Sequence, residues 1–179
     1  MDYNIEILID ILPLIKDFLY HLASYRLINA YLDSLPGERE FWVYTCNAHL
    51  ETATLAWCMV FGSDSNETHW KKIFKGYNEN AKKLFLTYLQ AESSIAEDDF
   101  QKYWDDITTF RNNFIAHKAS YKEPVPNFDS ACTIVFCFSS WFHQQFENNC
   151  INFPNFKELF IEYQNDIEKT LLEIIMFKN

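Results

Sequence analysis

Three side chains inside one short window are of the types that carry charge and move protons. Arg111, Asn112 and His117 fall in the run RNNFIAH. Arg is a permanent cation whose planar fork matches phosphate oxygens. His titrates near neutrality and can exchange protons. Asn can hydrogen-bond a phosphate or hold an imidazole. A cation beside a proton shuttle is what metal-free cleavage of an RNA phosphodiester needs. The ribose 2′-hydroxyl attacks phosphorus, its proton must be taken up, charge on the phosphoryl oxygens must be stabilised, and the leaving 5′-oxygen must be assisted. The bland alternative is that Arg111 makes a salt bridge and His117 merely ends a helix.

Six residues on a straight helix turn through about 600°, so Arg111 and His117 would point about 120° apart. Two arrangements could unite them. The helix could break near Ala116 and free His117, or two copies of the helix could meet across a dimer axis and pool their Arg and His side chains. Two acids, Asp105 and Asp106, lie one to two turns upstream of Arg111. If they pair with the guanidinium, the cation is spent and RNA binding suffers.

The element that positions the cluster is read over residues 94–120. Ser94 and Glu97 have the spacing of a capping box, and Asp98 and Asp99 put negative charge in the first turn, where the helix dipole favours it. Phe100, Tyr103, Trp104, Ile107, Phe110, Phe114 and Ile115 follow at spacings of three and four, one stripe down an amphipathic helix.

The rest of the chain repeats the helical period. Residues 5–31 predict a first helix, with Pro13 as a kink or as its true start, and residues 33–37 a turn. A second helix spans residues 38–61, with Phe41, Tyr44, Ala48, Leu55 and Met59 near one face and Gly62 as its stop. A polar loop leads to a short helix at residues 69–74. Residues 78–91 form a modest helix with Ala81, Leu84, Phe85, Tyr88 and Leu89 inward. Pro124 and Pro126 forbid a helix at residues 121–127. Residues 129–148 are apolar nearly all round, so that helix is central or lies in a subunit interface. Pro154 suits the first turn of a last helix. The expected fold is an all-α helical bundle, with residues 1–179 as one domain.

Composition bounds the partners. The 179 residues carry a formal net charge of −10, and 18% of them are aromatic. An acidic surface repels nucleic acid, so RNA would need a local basic cleft. Lys71, Lys72, Lys75, Lys82 and Lys83 are the main basic concentration. Beside them, residues 62–70 gather Asp64, His69 and Trp70, either a polar surface loop with Trp70 as its anchor or one wall of a cleft in which Trp70 stacks on a base. Cys46 and His49 lie three apart, too few ligands for a metal site. The five cysteines are odd in number and lack a C-x-x-C pair, which reads as reduced thiols in a cytoplasmic protein. No signal peptide is visible, and no apolar run reaches the ~20 residues that span a bilayer. Phosphate-binding Gly-rich loops and G-x-S-x-G elbows are absent.

The segment from Arg111 to His117 resembles the motif of the HEPN superfamily: an Arg, four to six residues, then a His, with a polar residue directly after the Arg and here Ala116 before the His. The all-α architecture, with the motif late in the chain on a long helix, is similar too. The resemblance implies a homodimer with the motif helices at its interface. It also implies a metal-independent endoribonuclease, needing no cofactor, of toxin–antitoxin or antiphage systems, with an antitoxin or other protein as a further partner. Arg111 and His117 would be catalytic and Asn112 supporting, and the products a 2′,3′-cyclic phosphate and a 5′-hydroxyl. The acids upstream of Arg111 depart from this pattern and leave a second reading open: a non-catalytic helical dimer that binds a protein or small ligand through its aromatic surface.

Overall fold

The computed structural model describes residues 3–76, 79–116, 124–146 and 153–177. Six α-helices dominate: α1 (Ile5–Tyr31), α2 (Arg39–Phe61), α3 (Glu79–Ser93), α4 (Glu97–Phe110), α5 (Phe128–Phe146) and α6 (Phe156–Met176). A 3-10 turn at Trp70–Ile73 and a π-helical turn at Arg111–Ala116 complete the regular structure. The architecture is all-α. Among the described residues the only extended pairing is an isolated bridge between Tyr3 and Phe74, and no helix is long and apolar enough to cross a membrane.

The first helix forms where its periodicity places it. Asn4 caps it by accepting from the Glu6 amide at 3.2 Å. Pro13 lies inside the helix and does not mark its start. Leu8, Ile11, Ile15, Phe18, Leu19 and Leu22 are buried, while Ile5 and Ile9 face out. α2 packs along α1, α6 covers another side of α1, α3 packs on α5, and the π-helical turn and α4 meet α2. One hydrophobic core draws residues from all six helices; a smaller cluster of Ile28, Leu35, Cys46 and Leu171 closes the far end. α5, apolar on most sides, lies at the centre, with Ile134, Val135, Phe138 and Phe142 fully buried.

Four expectations need correction. Ser94 does not cap α4. Its φ of 63° puts it in the left-handed region, and its amide donates to Gln90 O at 3.0 Å, so it terminates α3 as a left-handed C-terminal cap. α4 starts at Glu97 after the N-cap Ala96, whose amide donates to the Asp99 carboxylate at 3.3 Å. Pro154 precedes the last helix; the N-cap is Asn155, whose side chain accepts from the Lys157 and Glu158 amides at 3.1 and 3.3 Å. Leu84 faces outward. The α2 face carrying Phe41, Tyr44, Leu55 and Met59 is exposed, with Phe41 at 62% and Tyr44 at 68%. The core takes the other side, through Leu50, Ala53, Trp57, Val60 and Phe61.

A β-carbon in the left-handed region costs about 1–2 kcal/mol, part of which glycine returns in the entropy of the unfolded chain. Ser94→Gly is therefore expected to raise stability by about 0.5–1 kcal/mol, read as a higher denaturant midpoint at unchanged slope. A lower midpoint would mean that the Ser94 side chain contributes something its backbone does not reveal.

Candidate functional site

The stripe on α4 is buried as its spacing requires: Phe100, Tyr103, Ile107 and Phe110 face the core. Two contacts fix this helix against the end of α2. The Trp104 indole N–H donates to Phe61 O at 2.9 Å and Gly62 O at 3.1 Å. The Tyr103 ring meets Trp57 edge to face, with centroids 5.6 Å apart. Gly62 is required here, because a β-carbon would stand 2.3 Å from Cys58 O.

α-Helical geometry ends at Phe110, where the motif begins. Arg111–Ala116 form a π-helical turn, whose i→i+5 hydrogen bonds accommodate one extra residue and which is frequent at functional sites. Phe110 and Phe114 stack across the change of pitch, centroids 5.2 Å apart and rings 15° from parallel. Asn112 and Asn113 are exposed and Arg111 is half-buried. His117 lies outside the described residues, so the structure does not show how it stands relative to Arg111.

The surroundings of Arg111 differ from those of the other two arginines. Arg26 pairs with Asp129 at 2.6 Å and ties α1 to α5, and Arg39 pairs with Asp33 at 3.5 Å. Among the described residues Arg111 has no carboxylate partner. The pairing with Asp105 or Asp106 that the second reading needs does not occur, and helix geometry explains why. Those acids stand six and five residues before Arg111, which is about 120° and 140° around the axis. With Thr109 they face a hollow of about 500 Å3 walled by Pro124, Val125, Pro126 and Asn127. Arg111 lies near α2 instead, close enough to Cys58 for its charge to act on the thiol. Burial pushes that thiol up to about 11, Arg111 only partly opposing, so Cys58 is an inert thiol at neutral pH. Arg111 Nε is buried without a hydrogen-bond partner, and so are Trp57 Nε1 and Tyr103 Oη nearby on the same seam. Burial holds the Tyr103 hydroxyl far above its usual range, with the Cys58 and Cys132 thiols acting in the same direction. Unsatisfied buried donors are rare in folded proteins and call for an explanation.

A second cluster forms in the loop after α2. His69 is 2% exposed, and its Nε2 stands 3.2 Å from Asp64 Oδ1. Its Nδ1 accepts from the Lys71 amide at 3.3 Å, which assigns the proton to Nε2. Lys71 Nζ bonds both Asp64 oxygens, at 2.9 and 2.8 Å. Trp70 is buried against Phe85, Phe138 and Trp141, so of the two readings it takes the anchoring one and is not free to stack on a base. The loop does wall a cleft of about 290 Å3, together with Lys82, Gln101 and Trp104.

Burial, joined by the nearby Lys71 and Lys72 charges, lowers the His69 pKa to about 4, against Asp64, which pulls it up. Burial raises the Asp64 carboxyl, but the Lys71 hydrogen bond and the neighbouring cations outweigh it and leave the carboxyl below its usual range. The unfolded chain therefore binds the His69 proton more tightly than the folded one. Stability from His69 is complete above the ordinary pKa of about 6.5 and falls as pH drops from there towards 4, by roughly 3 kcal/mol. Urea midpoints at pH 7.5 and 4.5 check this: the midpoint falls steeply at pH 4.5, and a flat profile would mean that His69 is not buried as the neutral base.

Sequence reasoning missed a third feature. His21 on α1 and His49 on α2 approach with Nδ1 atoms 2.7 Å apart. Burial lowers both pKa values; Asp17 opposes the shift at His21, and His21 adds to the shift at His49. No spacing signal links residues 28 apart on two helices. Cys46, close to His49 in sequence, instead donates its thiol to Tyr25 O at 3.5 Å. Among the described residues no three His, Cys, Asp or Glu side chains are placed to hold a metal ion.

Comparison with known proteins adds no identification: no protein-family model, no curated protein and no solved structure matches the chain.

Proposed function

We propose that the chain is a HEPN-like, metal-independent endoribonuclease that acts in the cytoplasm as a homodimer, in a toxin–antitoxin or antiphage setting where an antitoxin or other protein restrains it. Arg111 stabilises charge on the phosphoryl oxygens, His117 moves the protons, and Asn112 orients the phosphate or the imidazole. The observation that carries this reading is that Arg111 has no carboxylate partner among the described residues. Arg26 and Arg39 each pair with an aspartate, and among those residues the arginine of the motif does not. A half-buried guanidinium with no carboxylate keeps its charge for an anionic ligand. The exposed Asn112 beside it and the π-helical turn support the same reading.

The test is cleavage of RNA pools by the purified protein in EDTA, beside Arg111→Ala and His117→Ala. Cleavage that survives chelation, disappears in both variants and leaves 2′,3′-cyclic phosphate ends supports the enzyme. Wild type no faster than the variants removes the catalytic roles. One observation favours the second reading, a non-catalytic interaction module: the exposed α2 stripe of Phe41, Tyr44, Leu55 and Met59 is the kind of apolar surface that partners cover.

A further inference from the structure

Three lysines of this acidic chain, Lys71, Lys82 and Lys83, line one groove. The cleft of about 290 Å3 beside Trp104 adjoins a second hollow of about 370 Å3, and Lys82 and Leu86 line both. Joined, they fall in the size range of small-molecule sites, ~300–1,000 Å3. Their chemistry differs. The first has an aromatic wall, the half-buried Trp104, whose ring is held rigid by its two hydrogen bonds to the α2 terminus, with the Gln101 amide at the rim. The second is polar, with Asn80, Lys83, Thr87 and Gln90 around it.

Charge points the same way. Lys71 is already engaged by Asp64 through two short bonds. Lys82 and Lys83 make no ion pair among the described residues, although Lys82 is near enough to Asp64 to lower its pKa. One carboxylate stands at each end, Asp64 in the first cleft and Glu97 in the second. Lys82 lies where the two hollows join, and Lys83 lines the second beside it. A ligand that satisfies both halves has a flat ring against Trp104 and a phosphate at Lys82 and Lys83.

We propose that this groove binds a nucleoside phosphate, either free or as one unit of a single RNA strand. The ring stacks on Trp104, its edge hydrogen-bonds Gln101, and the phosphate takes Lys82 and Lys83. The site is built by α3, α4 and the loop after α2, two turns along α4 from Arg111, and it stands whether or not the motif cleaves RNA.

Titration calorimetry with AMP, GMP, CMP and UMP, and fluorescence anisotropy with a labelled single-stranded RNA 12-mer, test it on the full chain. The variants are Lys82→Ala, which removes the shared cation, and Gln101→Trp, which fills the rim from an exposed position. Thermal melts confirm that both stay folded. Saturable mononucleotide binding weakened about tenfold or more by each variant, through loss of a charge-assisted contact in Lys82→Ala and through occlusion in Gln101→Trp, supports a free ligand. Binding of the 12-mer alone, weakened in the same way, supports a unit of RNA. No binding of either probe, or binding that both variants leave unchanged, overturns the proposal. Arg111→Ala serves as the control: it should abolish any cleavage and leave mononucleotide binding intact, so this inference and the cleavage reading fail separately.

Discussion

Phe138→Ala is expected to cost about 3–5 kcal/mol, the range for emptying a buried aromatic site. Phe138 is fully buried. Its ring lies within 5.4–6.4 Å, centroid to centroid, of Phe61, Trp70, Phe85, Trp141, Phe142 and Phe153. These belong to α2, the 3-10 turn, α3, α5 and the segment leading into α6. The pairs with Phe61 and Phe85 are near-perpendicular, at 89° each, which is favourable beyond area burial by about 0.5–1.5 kcal/mol per pair. Alanine leaves a void that rigid rings on several elements cannot close. Against a total stability of ~5–15 kcal/mol, the variant should be marginally folded at 37 °C. Phe138→Leu should cost less, because it refills much of the volume. Urea unfolding of the three proteins measures this. A loss below about 1 kcal/mol for alanine would contradict the central place given to α5.

The centrality of α5 was legible because its apolar residues run all round the helix, and no single covered face could bury them. α1 was legible for a related reason: Leu8, Ile15, Leu19 and Leu22 keep the helical period across Pro13. α2 was only half legible. It carries one apolar stripe through Phe41, Tyr44, Leu55 and Met59 and another through Leu50, Ala53, Trp57 and Phe61, and periodicity cannot say which one the core takes. The covered stripe holds the small residues Ala53 and Ala56, which let α1 approach. Ser94 was misread because Ser followed three residues later by Glu is a capping pattern, whereas the same Ser can end the preceding helix in a left-handed turn. In the candidate site, the residue types were readable and their partners were not. Arg111 lies near Cys58, 53 positions earlier on another helix, and the motif itself leaves α-helical geometry in a π-helical turn across which Phe110 stacks on Phe114, which no spacing rule announces. The acids at 105 and 106 show the reverse case. Their angular offset from Arg111 was calculable from spacing alone, and it already argued against a salt bridge.

The second large effect is a separation of stability from activity at Arg111. Arg111 Nε is buried with no hydrogen-bond partner, and the nearby Cys58 thiol is at best a weak acceptor. A buried unsatisfied donor costs about 1–3 kcal/mol. Arg111→Met keeps most of the aliphatic stem and removes that donor, so its melting temperature should equal or exceed that of wild type. In the cleavage reading the same substitution removes the cation that meets the phosphoryl oxygens. Loss of one such electrostatic contact lowers the rate by about 10²–10³-fold, and Arg111→Lys should fall between, retaining charge without the planar fork. Thermal melts and RNA cleavage in EDTA, run on the same three proteins, give the outcome. A chain that holds an arginine against its own stability does so because the ligand needs it, which is the trade expected of a catalytic position. If Arg111→Met instead lowers the melting temperature by several degrees, Arg111 is a packing residue of the α2–α4 seam. The exposed apolar face of α2 then becomes the place to look for what this protein does.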